Sequence, residues 1–214
     1  MSRAATECVV FDFAFTLCSD FFCKVTPPEC PDWFYQFQRR IYCRHSPYLD
    51  DWMTGRLTSR DIARVMTRHI PMPVERILTT MEEGCRHLEF NPAVVAFAKT
   101  QRGQGRKVAL VTANMDIFTK IVVPAHGLDK LFDVIVNSAD HGELRKERLW
   151  PIAFERLGQD IGFQNSVLIE DRTDSPQRFR ELGGRAYQYT TDQAFTRWLA
   201  DGGFDALSDG TGHG

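Results

Sequence analysis

The chain has 214 residues, 43% of them hydrophobic and 25% charged, with a formal net charge of -2. A sizeable core is available, and the charge balance offers no electrostatic case for nucleic acid or an anionic membrane as partner. No apolar run approaches the ~20 residues of a membrane span, and Met1 to Glu7 passes straight into an apolar run, so a cytoplasmic protein without a signal peptide is expected.

The first element is Cys8-Val9-Val10-Phe11, a run that reads as a buried parallel strand and ends abruptly in Asp12. A hydroxyl follows at Thr16. Open α/β sheets bind ligands beyond the carboxyl ends of their strands, which is where a nucleophile or metal ligand would sit. Asp12 alone could equally cap the next turn.

Residues 18–91 contain no convincing strand and are expected to form an all-helical insertion. Trp33, Phe34, Phe37, Ile41 and Tyr42 lie at helical spacing between Asp32 and His45. A short helix is expected around Tyr48 to Met53, ending at Gly55. Thr58 with Asp61 has the pattern of a capping box, followed by Ile62, Val65, Met66 and His69 on one face. Val74 to about Leu88 forms the next helix, with Ile77, Leu78, Met81 and Cys85 inward. Because the insertion leaves from the end of the first strand, it is placed to act as a lid.

Strand and helix alternate from Pro92 onward. Helices are expected over Pro92–Arg102, Met115–His126, Trp150–Leu157, Ser175–Leu182 and Asp192–Leu199. Strands are expected over Lys107–Thr112, Phe132–Val136, Ser166–Ile169 and Ala186–Tyr189. The order implies a parallel sheet covered on both faces, with a core of residues 1–17 and 92–204 and a flexible tail over 205–214. The six cysteines, Cys8, Cys18, Cys23, Cys30, Cys43 and Cys85, form no C-x-x-C pair and read as reduced thiols.

Polar residues gather at the strand ends: Asp12, Thr112 with Asn114 nearby, Lys146 in the loop after the third strand, and Glu170-Asp171. Singly, Thr112 reads as a strand-end cap, Lys146 as a solvated loop lysine and Glu170-Asp171 as a helix cap. Together they supply a carboxylate nucleophile, a hydroxyl, an ammonium and an acidic pair. Clustered carboxylates raise one another's pKa values unless a cation intervenes. Hard oxygen ligands suit Mg²⁺, and lysine and hydroxyl suit phosphoryl oxygens.

In this arrangement the chain resembles the haloacid dehalogenase-like (HAD) hydrolase superfamily. The resemblance is carried by Asp12-Phe13-Ala14-Phe15-Thr16, Ala109-Leu110-Val111-Thr112, Arg145-Lys146 and Val167-Leu168-Ile169-Glu170-Asp171 with Asp174-Ser175. Trp52-Met53-Thr54-Gly55-Arg56-Leu57-Thr58 resembles the turn between helices of the family's first cap type. The resemblance implies a Rossmann-like α/β core with a helical cap, acting on a small phosphorylated metabolite. It implies that Asp12 forms an aspartyl-phosphate. Mg²⁺ would be held by Asp12, the Ala14 carbonyl, Asp171 and Glu170. Thr112 and Lys146 would hold phosphoryl oxygens, with Thr16 and Asn114 beside the substrate.

The family's phosphatases usually carry a second Asp two residues after the nucleophile, where this chain has Ala14. That residue protonates the leaving group, a contribution of typically ~10²–10⁴-fold in rate. Three readings follow. The first is a Mg²⁺-dependent phosphatase, with a low-pKa leaving group, a water relay, or an acid from the cap such as His45, His69, His87, Glu82 or Glu83. The second is cleavage of a C–P bond, because the family's phosphonoacetaldehyde hydrolases carry Ala at this position; Lys24 would then form the Schiff base. The third is a non-enzymatic binding module, with Phe21, Phe22, Trp33, Phe34 and Tyr35 as a partner surface or as cap core. The oligomeric state is left open.

Overall fold

The computed structural model describes residues 5–43 and 46–208. Five parallel strands form one sheet: β1 (Cys8–Phe11), β2 (Lys107–Thr112), β3 (Val134–Asn137), β4 (Ser166–Glu170) and β5 (Arg185–Gln188). Their spatial order is β3-β2-β1-β4-β5, so β1 is central and flanked by β2 and β4. Phe11 pairs with Leu110 on one side and Ile169 on the other. One residue further on, Asp12 is level with Glu170, and the three central strands deliver their polar ends to one edge.

Alternation along β1 assigns its side chains to two cores. Val9 and Phe11 join a large cluster with Val108, Leu110, Val167 and Ile169 on one face. Cys8 and Val10 join Ala109, Val111, Leu168 and Ala186 on the other. The second face is covered by α9 (Lys146–Leu157) and α10 (Asp174–Glu181), through Leu149, Trp150, Ala153, Phe154 and Phe179. The first is covered by α5 (Pro92–Gly103) and α11 (Asp192–Ala200), through Phe97 and Phe195.

The helical insertion comprises α1 (Trp33–Arg40), α2 (Leu49–Met53), α3 (Ser59–Met66) and α4 (Val74–Arg86). The Thr58–Asp61 capping box forms as the sequence predicts. The lobe's buried Trp33, Phe37, Trp52, Ile62 and Met81 belong to the same apolar cluster as Val9 and Phe11, so lobe and sheet share one core. Polar contacts reinforce the junction. Asp116 accepts from Trp52 Nε1 at 2.9 Å, from the Ser59 amide at 3.0 Å and from Ser59 Oγ at 2.5 Å. Ser138 Oγ donates to the Met53 carbonyl at 2.6 Å. The backbone also approaches closely at Gly55, where a Cβ would lie 2.4 Å from the Ala139 carbonyl oxygen. The lobe is therefore latched to the sheet at several points.

Several elements differ from the sequence expectation. The first helix ends at Arg40, and His45 lies outside the described residues. The helix expected over Met115–His126 is interrupted by a π-helical turn, Phe118–Val122, before α6 (Val123–Ala125). Pro124 has no N–H to bond the carbonyl one α-turn back, and the preceding turn widens. Lys146 is the first residue of α9 rather than a loop residue, because Pro151 is accommodated inside that helix. Two short helices, α7 (Leu128–Leu131) and α8 (Ser138–His141), flank β3. The tail also differs: α12 (Gly203–Ser208) folds back, with Phe204 buried at 5.0 Å from the Phe97 ring. All six cysteines are free thiols, as expected.

Candidate active site

The position of Asp12 is fixed from the backbone outward. The Asp12 amide donates to the Ile169 carbonyl at 3.0 Å, extending the sheet by one bond before the chain turns. The turn is closed by the Phe15 amide on the Cys18 carbonyl at 2.7 Å and the Cys18 amide on the Phe13 carbonyl at 2.9 Å. Phe13 anchors it from below, its ring packed among Phe22, Phe90 and Phe118 at 4.8–5.9 Å. These bonds use neither polar group of Ala14, and among the described residues nothing donates to its carbonyl.

Phe15 adopts φ +57°, the only non-glycine residue with positive φ among the described residues. For a residue with a Cβ this costs roughly 1–2 kcal/mol. The side chain is nevertheless 47% exposed, on the wall of a cleft of about 990 Å³.

Lys146 reaches into the strand ends from the start of α9. Its Nζ lies 2.8 Å from Asp12 Oδ1 and 2.5 Å from Glu170 Oε2. Asp12 and Glu170 are both buried, Glu170 completely. Among the described residues Oδ1 makes this ion contact, and no donor is aligned on it as a hydrogen bond. Burial works against the Lys146 ammonium, but the Asp12 and Glu170 charges outweigh it and hold its pKa above the ordinary lysine value. Burial, and then the Asp12 charge, push the Glu170 and Asp171 carboxyls above the usual carboxylate range.

Thr112 lines the same cleft from the end of β2, and its hydroxyl accepts from Asn114 Nδ2 at 2.8 Å. Asn114 itself is buried and does not reach the cleft. Its backbone amide is taken by Asn137 Oδ1 and Ser138 Oγ, so it orients Thr112 from behind. Thr16 is likewise fully buried, and its Oγ1 donates to Asp171 Oδ1 at 3.2 Å. The resemblance puts both beside the substrate; in the structure they are buried, Thr16 against Asp171 and Asn114 against Thr112.

Ligand oxygens of Asp12, Glu170 and Asp171 all lie within 4.8 Å of one another. Three carboxylates face one ammonium, and their mutual repulsion adds to burial in raising the Glu170 and Asp171 pKa values. Hard oxygen donors, an Asp12 oxygen without an aligned donor and an unclaimed Ala14 carbonyl fit a small divalent cation of the Mg²⁺ type.

The lobe contributes Asp50 and Met53 to the cleft. Asp50 was not anticipated, although it stands just before the Trp52–Thr58 turn that the sequence singled out. His69, His87, Glu82 and Glu83 do not line the cleft; Glu82 pairs with Arg86 and Glu83 with Arg76. Lys24 is held by Asp20 and Glu89, also away from it. The rim carries Arg145, Arg172 and Arg178, ion-paired to Glu143, Asp174 and Glu181.

No family model matches the sequence, and no curated protein does. Solved structures do match. A HAD family enzyme, BT-2542 from Bacteroides thetaiotaomicron in complex with magnesium and inorganic phosphate, superposes with a TM-score of 0.64 at 14% identity, over 87% of this chain and 95% of that one. A HAD-like family hydrolase from Porphyromonas gingivalis gives 0.64 at 14% identity, over 92% and 98%. CbbY from Rhodobacter sphaeroides in complex with phosphate gives 0.52 at 17% identity, over 85% and 84%. The chain shares the fold of these HAD proteins along most of its length.

Proposed function

We propose that this chain is a Mg²⁺-dependent HAD-like phosphohydrolase that cleaves small phosphomonoesters through an aspartyl-phosphate on Asp12. The observation that carries the reading is the meeting of Asp12, Thr112, Lys146, Glu170 and Asp171 at one edge of the sheet, in an open cleft. The neighbours with magnesium and phosphate share the fold on which that edge is built.

Asp12, Glu170, Asp171 and the Ala14 carbonyl would hold Mg²⁺, which supplies charge neutralisation for the carboxylates and for phosphoryl oxygens. Lys146 holds the Asp12 carboxylate in position through its ion contact. Its ammonium and the Thr112 hydroxyl are placed for phosphoryl oxygens, where they stabilise charge in the transition state. Asp12 attacks phosphorus, the leaving alkoxide or phenoxide departs, and water hydrolyses the acyl phosphate.

The C–P reading loses its support, because Lys24 is bound by two carboxylates outside the cleft. Purified protein with Mg²⁺ is expected to release phosphate from p-nitrophenyl phosphate, and Asp12→Asn to abolish the release. Magnesium and phosphate binding with no turnover of any phosphomonoester would replace the enzyme by a binding module.

A further inference from the structure

We propose that the cleft is built for an aryl phosphomonoester, whose ring lies against Phe15 and whose phenoxide departs without a protein acid. The inference rests on the phosphohydrolase reading and names its substrate class.

The first observation is the proton inventory of the cleft. Ala14 lines it two residues after the nucleophile and has no proton to give. The Lys146 ammonium is pinned between Asp12 at 2.8 Å and Glu170 at 2.5 Å and is committed to those carboxylates. On the rim, Arg172 holds the Asp174 carboxyl down at about 2, and Arg178 lowers that of Glu181. Both stay ionised at neutral pH. Alcohols ionise only far above neutrality, near where water does, whereas a phenol ionises near about 10. A site whose turn after Asp12 brings no acid is at a severe disadvantage with the first and a small one with the second, and Asp50 from the helical lobe is the other carboxyl that the test below addresses.

The second observation is independent of the first. Phe15 is a large aromatic residue at a left-handed backbone position that Gly or Asn would take without strain. It is also 47% exposed, so neither backbone preference nor core packing explains it. Strain of this kind persists where the surroundings enforce it, typically at functional sites. The ring stands on the cleft wall, edge-on to Phe21 at 5.4 Å, which is edge-on to Phe34 at 5.6 Å. Phe21 is itself 42% exposed. Phe15 therefore lines the cleft three residues from Asp12 and is backed outside it by a row of aromatic rings in the edge-on contact that such rings favour.

The chemistry balances without a further reactant. An Asp12 oxygen bonds to phosphorus as the P–O(aryl) bond breaks. The bonding pair leaves on the phenoxide, which takes a proton from water in the open cleft. A second water cleaves the acyl phosphate, releasing orthophosphate and restoring the carboxylate.

The test compares kcat/KM of the full chain with Mg²⁺ on substituted phenyl phosphates, 2-naphthyl phosphate, propyl phosphate and cyclohexyl phosphate. Because kcat/KM covers steps up to P–O cleavage, slow hydrolysis of the acyl phosphate does not mask the comparison. Aryl substrates are expected to exceed alkyl ones by about 100-fold or more, with rates rising steeply as leaving-group pKa falls. Ala14→Asp should raise the alkyl rates about tenfold more than the aryl rates and flatten that slope. Phe15→Asn, which tolerates the left-handed turn, should raise KM for 2-naphthyl phosphate about tenfold more than it raises the inhibition constant of orthophosphate. Phe15→Gly should do the same, separating loss of the ring from disturbance of the turn. Alkyl and aryl rates within about threefold of each other, with a flat slope, would overturn the inference and leave the phosphohydrolase standing. A fall of that alkyl rate in Asp50→Asn would then assign the acid to the helical lobe. Turnover of neither class, with no phosphate label on Asp12, would remove the parent reading and this one together.

Discussion

Asp116 offers the sharpest test of how the helical lobe is joined to the sheet. Its carboxylate is buried and takes three hydrogen bonds from the lobe, one from Trp52 Nε1 and two from Ser59. A fourth contact, from Lys120 Nζ at 2.8 Å, comes from its own helical segment and is largely exposed. In Asp116→Ala the Trp52 indole N–H and the Ser59 amide lose their acceptor inside the protein, while the Ser59 hydroxyl can rotate to another partner. Each orphaned buried donor costs about 1–3 kcal/mol, so a total of about 2–6 kcal/mol is expected for the two. For a chain of this length 3 kcal/mol corresponds to a fall of about 6–12 °C in melting temperature. Lys120→Ala removes the exposed partner and should cost under about 1 kcal/mol. Burial disfavours the Asp116 charge, but Lys120, Ser59 and Trp52 outweigh it and hold the folded-state pKa below the ordinary value. The stabilisation is therefore full above the unfolded-state pKa of about 4 and disappears as pH falls through the lower folded-state value. Urea titrations followed by tryptophan fluorescence at pH 7 and pH 3 measure both effects. A loss under about 0.5 kcal/mol at pH 7, or one equal to that of Lys120→Ala, would refute the latch.

Three further outcomes follow from the same structure. Without metal, Glu170 binds its proton more tightly folded than unfolded, so the stability of EDTA-treated protein should fall as pH rises from about 5 to 8. Glu170→Gln should flatten that slope and Mg²⁺ should oppose it; a melting temperature that climbs over the same range in chelator would contradict the charge accounting. Gly55→Ala places a Cβ 2.4 Å from the Ala139 carbonyl oxygen at φ +71°, and about 2–4 kcal/mol of destabilisation is expected by urea titration. Phe13→Ala empties a position enclosed by three aromatic rings and should cost about 3–5 kcal/mol by the same measurement. Because Phe13 sits beside the nucleophile, turnover should fall with it even where the protein is still folded; unchanged kcat would argue that the turn does not position Asp12.

Much of the site was legible because strand ends are local events. An apolar run that stops at a charged residue marks both the strand and its edge, which is how Asp12, Thr112 and Glu170-Asp171 could be placed before any coordinates. The sequence pattern marks Lys146 but predicts a loop there, whereas a helix containing Pro151 starts at it. The family resemblance puts Thr16 and Asn114 beside the substrate. Only burial shows that Thr16 faces Asp171 and Asn114 faces Thr112. Asp50 carried no local signal at all. Its place in the cleft depends on how α2 docks, through Met53, Gly55 and Asp116, onto a segment more than sixty residues away in sequence.

The sequence alone determined the periodicity of the elements, the parallel sheet and the residue types available at its edge, because these follow from local hydrophobic pattern and chain order. It also determined that position 14 brings no acid. Tertiary structure decided the strand order that levels Asp12 with Glu170, the ion contacts that pin Lys146, and the fusion of lobe and sheet into one core. It also decided that Phe15 stands strained and exposed on the cleft wall. Those features depend on distances between residues far apart in the chain, and on a backbone angle enforced by its surroundings, neither of which a local pattern contains.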